Sequence, residues 1–218
     1  MGCIYEDSAK EFKKNRTPEQ KKVINYFRPL GGCVGGVISL FSRMSDDQYE
    51  AMIAERVKQI NSMDAALNKL GIDVDMVKEV KPIYFEGYHF DEKKTFARLG
   101  KDDKWRSSAY EITWIFAGDK QLYVYNYRFN MDEDSKTVTA EEFFYKDITN
   151  VNHTTETVEK EIYDFSCIKS KKGRKSVEYN DFVLSAMGDK LLCSMHATEE
   201  NERSIQGLKN KIREKKNA

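Results

Sequence analysis

AYEITWIFAGDKQLYVYNYRFN, residues 109–130, decides the fold. Apolar and aromatic residues alternate with a period of two through 109–117 and 122–130. Gly118-Asp119 between them is a tight-turn signal, so the stretch predicts a β-hairpin. Outward from it, strand-like segments recur at 138–145, 148–155, 161–168, 177–187 and 191–197. Gly188-Asp189 and Lys172-Gly173-Arg174 mark further turns. Seven strands are therefore expected after Ser108. An eighth apolar segment at 83–90 precedes them, separated by a polar loop at 91–107.

A helix ends the chain. Thr198 is its expected N-cap, Glu199, Glu200 and Glu202 make its opening acidic, and Arg213, Lys215 and Lys216 make its end basic. Those charges complement the helix dipole. Ile205, Leu208 and Ile212 form its buried stripe.

The first part of the chain reads as helical. Thr17-Pro18-Glu19-Gln20 is a start signal, with proline at the first helical position, and this helix is expected to reach Arg28. Ser45-Asp46-Asp47-Gln48 starts a second helix. Its apolar face, Tyr49, Ile53, Val57, Ile60, Met63, Leu67 and Leu70, carries it to Gly71. A short helical turn is expected over 74–80, before Pro82 forbids continuation. The natural boundary falls between Gly71 and Pro82, giving a helical region 1–80 and a strand-rich domain 81–218. The fold class is α+β.

Composition narrows the function. Of 218 residues, 40% are hydrophobic and 33% charged, the balance of a globular chain. Lys plus Arg equals Asp plus Glu at 36 each, so the net charge is zero. A duplex-binding domain usually carries a basic excess, and nucleic acid is not an expected partner. Cys3, Cys33, Cys167 and Cys193 lack framework spacing and read as reduced thiols in the cytoplasm. The N-terminus lacks the charged-then-apolar pattern of a signal peptide, and Glu6 stands where a myristoylation motif wants Ser or Thr.

Tyr110-Glu111-Ile112-Thr113 with Leu122-Tyr123-Val124-Tyr125, and the phrase Phe144-Tyr145-Lys146-Asp147-Ile148-Thr149-Asn150-Val151, carry a resemblance. With seven strands and a final helix, residues 108–216 resemble the bacterial pleckstrin-homology-like (PH-like) domains. The resemblance implies a seven-stranded antiparallel β-barrel or sandwich capped by the C-terminal helix. It also implies a non-catalytic module that binds protein segments or lipid headgroups, with grooves beside the final helix and at the open hairpin ends. Lys93…Lys104-Trp105-Arg106 looks like the basic phosphoinositide signature of eukaryotic members. Lys93, Lys94, Lys104 and Arg106 are accordingly the expected contacts to an anion or a lipid headgroup.

Residues 29–41 (PLGGCVGGVISLF) carry no charge and contain two overlapping G-x-x-x-G spacings. The run is shorter than the roughly 20 residues that span a bilayer. Val34, Val37, Ile38, Leu40 and Phe41 are the candidates for apolar docking. Packing against the second helix, shallow membrane insertion after the basic stretch 10–22, and a partner interface all stay open.

Chemistry-bearing motifs are weak. Cys193 and His196 face opposite sides of a strand and do not pair as zinc ligands. Asn130, Asp132, Asp134 and Glu141 match calcium-loop positions, but Ser135 replaces the turn glycine and the flanks read as strands. His89, His153 and His196 stand beside no nucleophile motif, and no phosphate-cradling loop is present. No catalytic residue, metal or cofactor is expected. The expected function is a non-enzymatic module engaging a protein partner or the cytoplasmic membrane surface. A homo-oligomeric scaffold assembled through the N-terminal helices is the alternative, followed by a hydrolase or transferase.

Overall fold

The computed structural model describes residues 13–28, 44–77, 80–91, 95–164 and 171–217. The fold is α+β with antiparallel sheets and a C-terminal helix. The helices are α1 (Pro18–Phe27), α2 (Asp46–Ile60), α3 (Met63–Leu70) and α4 (Glu199–Lys216). Nine strands are described: β1 (Ile83–His89), β2 (Ala97–Leu99), β3 (Trp105–Ser107), β4 (Ala109–Ala117), β5 (Gln121–Asn130), β6 (Lys136–Phe144), β7 (Ile148–Asp164), β8 (Lys171–Ala186) and β9 (Asp189–Met195).

The hairpin at 109–130 is the centre of a four-stranded sheet ordered β1-β4-β5-β6. Alternation assigns its two faces to different partners. Phe85, Ile115, Ala117, Leu122, Val124 and Phe143 point to an inner core shared with a second sheet, β7-β8-β9, through Phe182, Leu184 and Cys193. Ile205, Leu208 and Ile212 of α4 join the same core. Tyr110, Ile112 and Phe129 point the other way, onto Val23, Tyr26 and Phe27 of α1 and Tyr49 and Ile53 of α2. Phe116, Tyr123 and Tyr125 likewise meet Ala66 and Leu67 of α3. The layers run helices, four-stranded sheet, three-stranded sheet with α4. Each large side chain fully buried in these layers contributes on the order of 1.5–3 kcal/mol.

Local signals act as expected at many ends. Thr17 and Ser45 make complete capping boxes with Gln20 and Gln48, and Thr198 caps α4. Gly71 adopts φ 69° at the end of α3, and Gly188 adopts φ 86° in the β8–β9 turn. Left-handed backbone favours glycine at both.

Tertiary contacts correct several expectations. The long second helix is two helices, because Ser62 caps α3 and Asn61 ends α2 while accepting from Trp114 Nε1 at 2.9 Å. The expected loop 91–107 contains the β2–β3 hairpin. It is held by Lys101 N–H on Asp46 at 2.9 Å and by Arg98 on the Tyr26 carbonyl at 2.8 Å. Segments 148–155 and 161–168 were expected as separate strands. β7 runs unbroken from Ile148 to Asp164, and 165–168 lie outside the described residues. Lys172-Gly173-Arg174 is no turn but part of β8, with Gly173 paired to Ile162. The sheets also form separate ladders rather than one closed barrel. Among the described residues, no helix is long and apolar enough to cross a membrane.

The corner between the sheets is tight. His196 N–H donates to the Glu86 carbonyl at 3.0 Å, so the end of β9 sits against β1. A Cβ on Gly87 would lie 2.8 Å from Met195 N and 3.0 Å from its Cα, both main-chain atoms with little freedom to yield. Gly87→Ala is expected to cost about 1–3 kcal/mol by overpacking. Urea unfolding measures it, and an unchanged midpoint would contradict the close approach.

Candidate functional site

Two concave surfaces flank the joint between β9 and α4. The first is a groove of about 830 Å³ between α4 and the start of β1. Val80, Ile83, Ile115, Ala117 and Leu208 supply its apolar floor, and Lys81, Glu86, Glu200 and Lys211 stand on its rim. Ile83, directly after Pro82, enters the sheet opposite Ile115. On the outer face, Tyr84 packs on Trp114 with ring centroids 4.8 Å apart, and its hydroxyl donates to Glu86 at 2.6 Å.

β1 is an edge strand whose partner is β4. In an antiparallel pair, the N–H and C=O of one residue point to the same side, and alternate residues point to opposite sides. The Glu86 carbonyl faces away from β4, toward His196, so Tyr84 directs its N–H and C=O to the same open side. Among the described residues, these two Tyr84 groups meet no main-chain partner. Opposite them, Gly207 sits in the middle of α4, and a Cβ there would meet nothing within 4 Å.

The second surface is a cleft of about 920 Å³ between α2, the β2–β3 hairpin and β8. It contains two of the expected anion contacts, and their geometry corrects that expectation. Arg106 is 3% exposed. It donates to both Asp102 oxygens at 2.8 and 3.0 Å, and its Nε lies 2.9 Å from Glu50 Oε1. Hydrogen bonding from Arg106 holds the Asp102 carboxyl well below the usual carboxylate range. Lys104 is exposed, but Asp47, Asp103 and Glu178 line the same cleft, and carboxylates so placed oppose an anion. Lys93 and Lys94 lie outside the described residues, as do Val34, Val37, Ile38, Leu40 and Phe41.

A polar cluster lies inside the sandwich, away from both surfaces. Glu111 is fully buried and accepts from Arg128 Nε and Nη2, both at 2.7 Å, and from Ser194 N–H at 3.0 Å. His89 Nδ1 is 3.4 Å from Ser194 Oγ and 3.8 Å from Glu111 Oε2. A nucleophile–base–carboxylate relay needs the two imidazole nitrogens to face different partners. Here one nitrogen faces both, and Ser194 is 2% exposed, so the three residues do not form that relay. Burial, helped by Arg128, pushes the His89 pKa down to about 4 and keeps the ring neutral.

Other chemistry is equally accounted for. The acidic tip at 130–135 joins strands β5 and β6 rather than helices. It docks at the start of α1, with Glu133 on Arg16, just before the N-cap, at 2.8 Å and Asp134 on Gln20 at 2.8 Å. Burial pushes the Cys193 thiol up, and Cys3, Cys33 and Cys167 lie outside the described residues. Among the described residues, no three His, Cys, Asp or Glu side chains are grouped to hold a metal. Sequence reasoning missed Tyr84, Trp114 and Gly207. A glycine inside an otherwise well-patterned helix was the available signal, since it costs about 1 kcal/mol there relative to alanine.

No protein-family model matches the chain, and no curated protein or solved structure shows significant similarity to it.

Asp181, 6% exposed, has its pKa pushed up to about 6 by burial and by the Glu111 charge. An acid whose folded pKa exceeds its unfolded value loses stability as pH rises from about 4 through about 6. Asp181→Asn is therefore expected to stabilise the fold at pH 8 by on the order of 2–3 kcal/mol, at about 1.4 kcal/mol per unit. The gain should vanish near pH 4. Urea unfolding at both pH values tests this, and a pH-independent difference would contradict the assignment.

Proposed function

We propose that the protein is a non-enzymatic interaction module of the PH-like kind, and that an extended segment of a protein partner binds in the groove between α4 and β1. The observation carrying this reading is the open edge at Tyr84, beside an apolar floor and beneath a helix that presents a bare glycine. An extended segment laid there gains main-chain hydrogen bonds from Tyr84 and buries alternate side chains on Ile83, Ile115 and Leu208. Gly207 leaves room for the strand to approach the helix, which accounts for a residue that weakens α4 and contacts nothing within 4 Å at its Cβ position.

The order of elements supports the PH-like part of the reading. Apart from the small β2–β3 hairpin, seven strands form two antiparallel sheets, and one helix follows them. That arrangement fits the resemblance better when β1 is counted as the first strand and β7 as one strand. The groove also lies beside the final helix, where the resemblance places one. A membrane surface has less support, because Arg106 is committed to carboxylates and Lys104 stands among them.

The test is an array of short synthetic peptides with alternating apolar and polar residues, read by fluorescence anisotropy and by amide hydrogen exchange. Binding should protect the Tyr84 amide. Gly207→Leu should weaken binding at least about tenfold while raising helix stability by up to about 1 kcal/mol. Absence of binding by every peptide, or equal binding to Gly207→Leu, would overturn the reading. Concentration-dependent dimerisation abolished by Gly207→Leu would place a second copy of the chain in the groove instead.

A further inference from the structure

The acidic cleft begins where the groove ends. His196 lines both, and it is fixed there by its N–H on Glu86, by Nε2 3.0 Å from Tyr110 Oη, and by its carbonyl accepting from Asn201 at 2.7 Å. A chain lying in the groove and continuing past this rigid ridge enters the cleft. Its surroundings define what it meets there. Five carboxylates, Asp47, Glu50, Asp102, Asp103 and Glu178, face two cations, Lys104 and Arg106. Arg106 occupies Asp102 and Glu50 already, and the remaining three carboxylates have no ion-pair partner among the described residues.

The walls are aromatic. Trp105 and Tyr179 are partly exposed and pack with Phe90 in one cluster, with Phe90 and Tyr179 centroids 5.5 Å apart. Aromatic faces beside carboxylates attract a guanidinium or ammonium by both charge and ring quadrupole. The cleft already holds one guanidinium, that of Arg106, between the Asp102 and Glu50 carboxylates.

Building on the groove reading, we propose that the partner is a basic segment: apolar residues fill the groove, and an adjoining Lys or Arg crosses His196 into the cleft. The excess of negative charge selects the partner's sign, and the open β1 edge fixes its extended conformation. Charge complementarity of this kind sets specificity and encounter rate more than total affinity.

The experiment uses one groove-binding peptide core flanked by lysines, by serines or by glutamates, titrated against the full chain at low and high salt. The lysine-flanked peptide should bind about tenfold or more tighter than the serine-flanked one at low salt, with the advantage shrinking at high salt. In a triple variant, Asp47→Asn, Asp103→Asn and Glu178→Gln, that advantage should disappear while serine-flanked binding stays unchanged. Circular dichroism and thermal unfolding check that the variant folds. Equal binding of the three peptides, or a lysine advantage that survives in the variant, would overturn the basic-segment proposal and leave the groove reading standing. Failure of every peptide to bind would overturn both.

Discussion

Burial of the four-stranded sheet on both faces is the constraint on which the rest of the structure depends. β4 and β5 carry apolar or aromatic side chains in both directions, and neither face tolerates water. The inner face requires a second sheet and a terminal helix, and the outer face requires α1, α2 and α3. The helical region and the strand-rich region therefore meet along two apolar clusters rather than through a polar linker surface. The β2–β3 hairpin ties them further, because Tyr49 donates to the Ser107 carbonyl at 2.7 Å and Arg98 stacks 4.3 Å over Tyr26.

Glu111, trapped by this layering, is the centre of a hydrogen-bonded network. Glu111 accepts from Arg128 and a main-chain N–H, and burial together with the nearby Glu111 carboxylate pushes the Asp181 pKa up to about 6. Breaking one partner of such a set leaves a buried charge exposed to a low-dielectric interior, which costs more than the pair itself contributes. The cluster is thus a stability element of the sandwich. The two concave surfaces proposed to bind a partner lie outside it, where α4 meets β1 and where α2 meets the β2–β3 hairpin.

Those surfaces arise from ends and joints. The groove exists because β1 begins at Ile83 with no strand on its outer edge there among the described residues, and because α4 leaves β9 at a joint fixed by His196. The cleft exists because the β2–β3 hairpin folds back toward the first turn of α2. Each wall comes from a segment distant in sequence from the others.

Much of this was legible in the chain. The β4–β5 hairpin, the capping boxes at Thr17 and Ser45, the αL glycines and the dipole-matched final helix all follow from period, cap chemistry and backbone sterics, which act within a few residues. The continuity of β7 was not legible, because Thr154, Glu156 and Lys160 face inward there and polar residues mask the strand period. The fate of Arg106 was not legible either: its local neighbours suggested a basic signature, but Glu50 reaches it from α2. The sequence by itself determined the elements and the two-faced character of the central hairpin, because those depend on local geometry and side-chain alternation. Only the tertiary structure decided which edge stays open, which charges neutralise one another, and where Gly207 and His196 stand, because those depend on contacts between residues far apart in the chain.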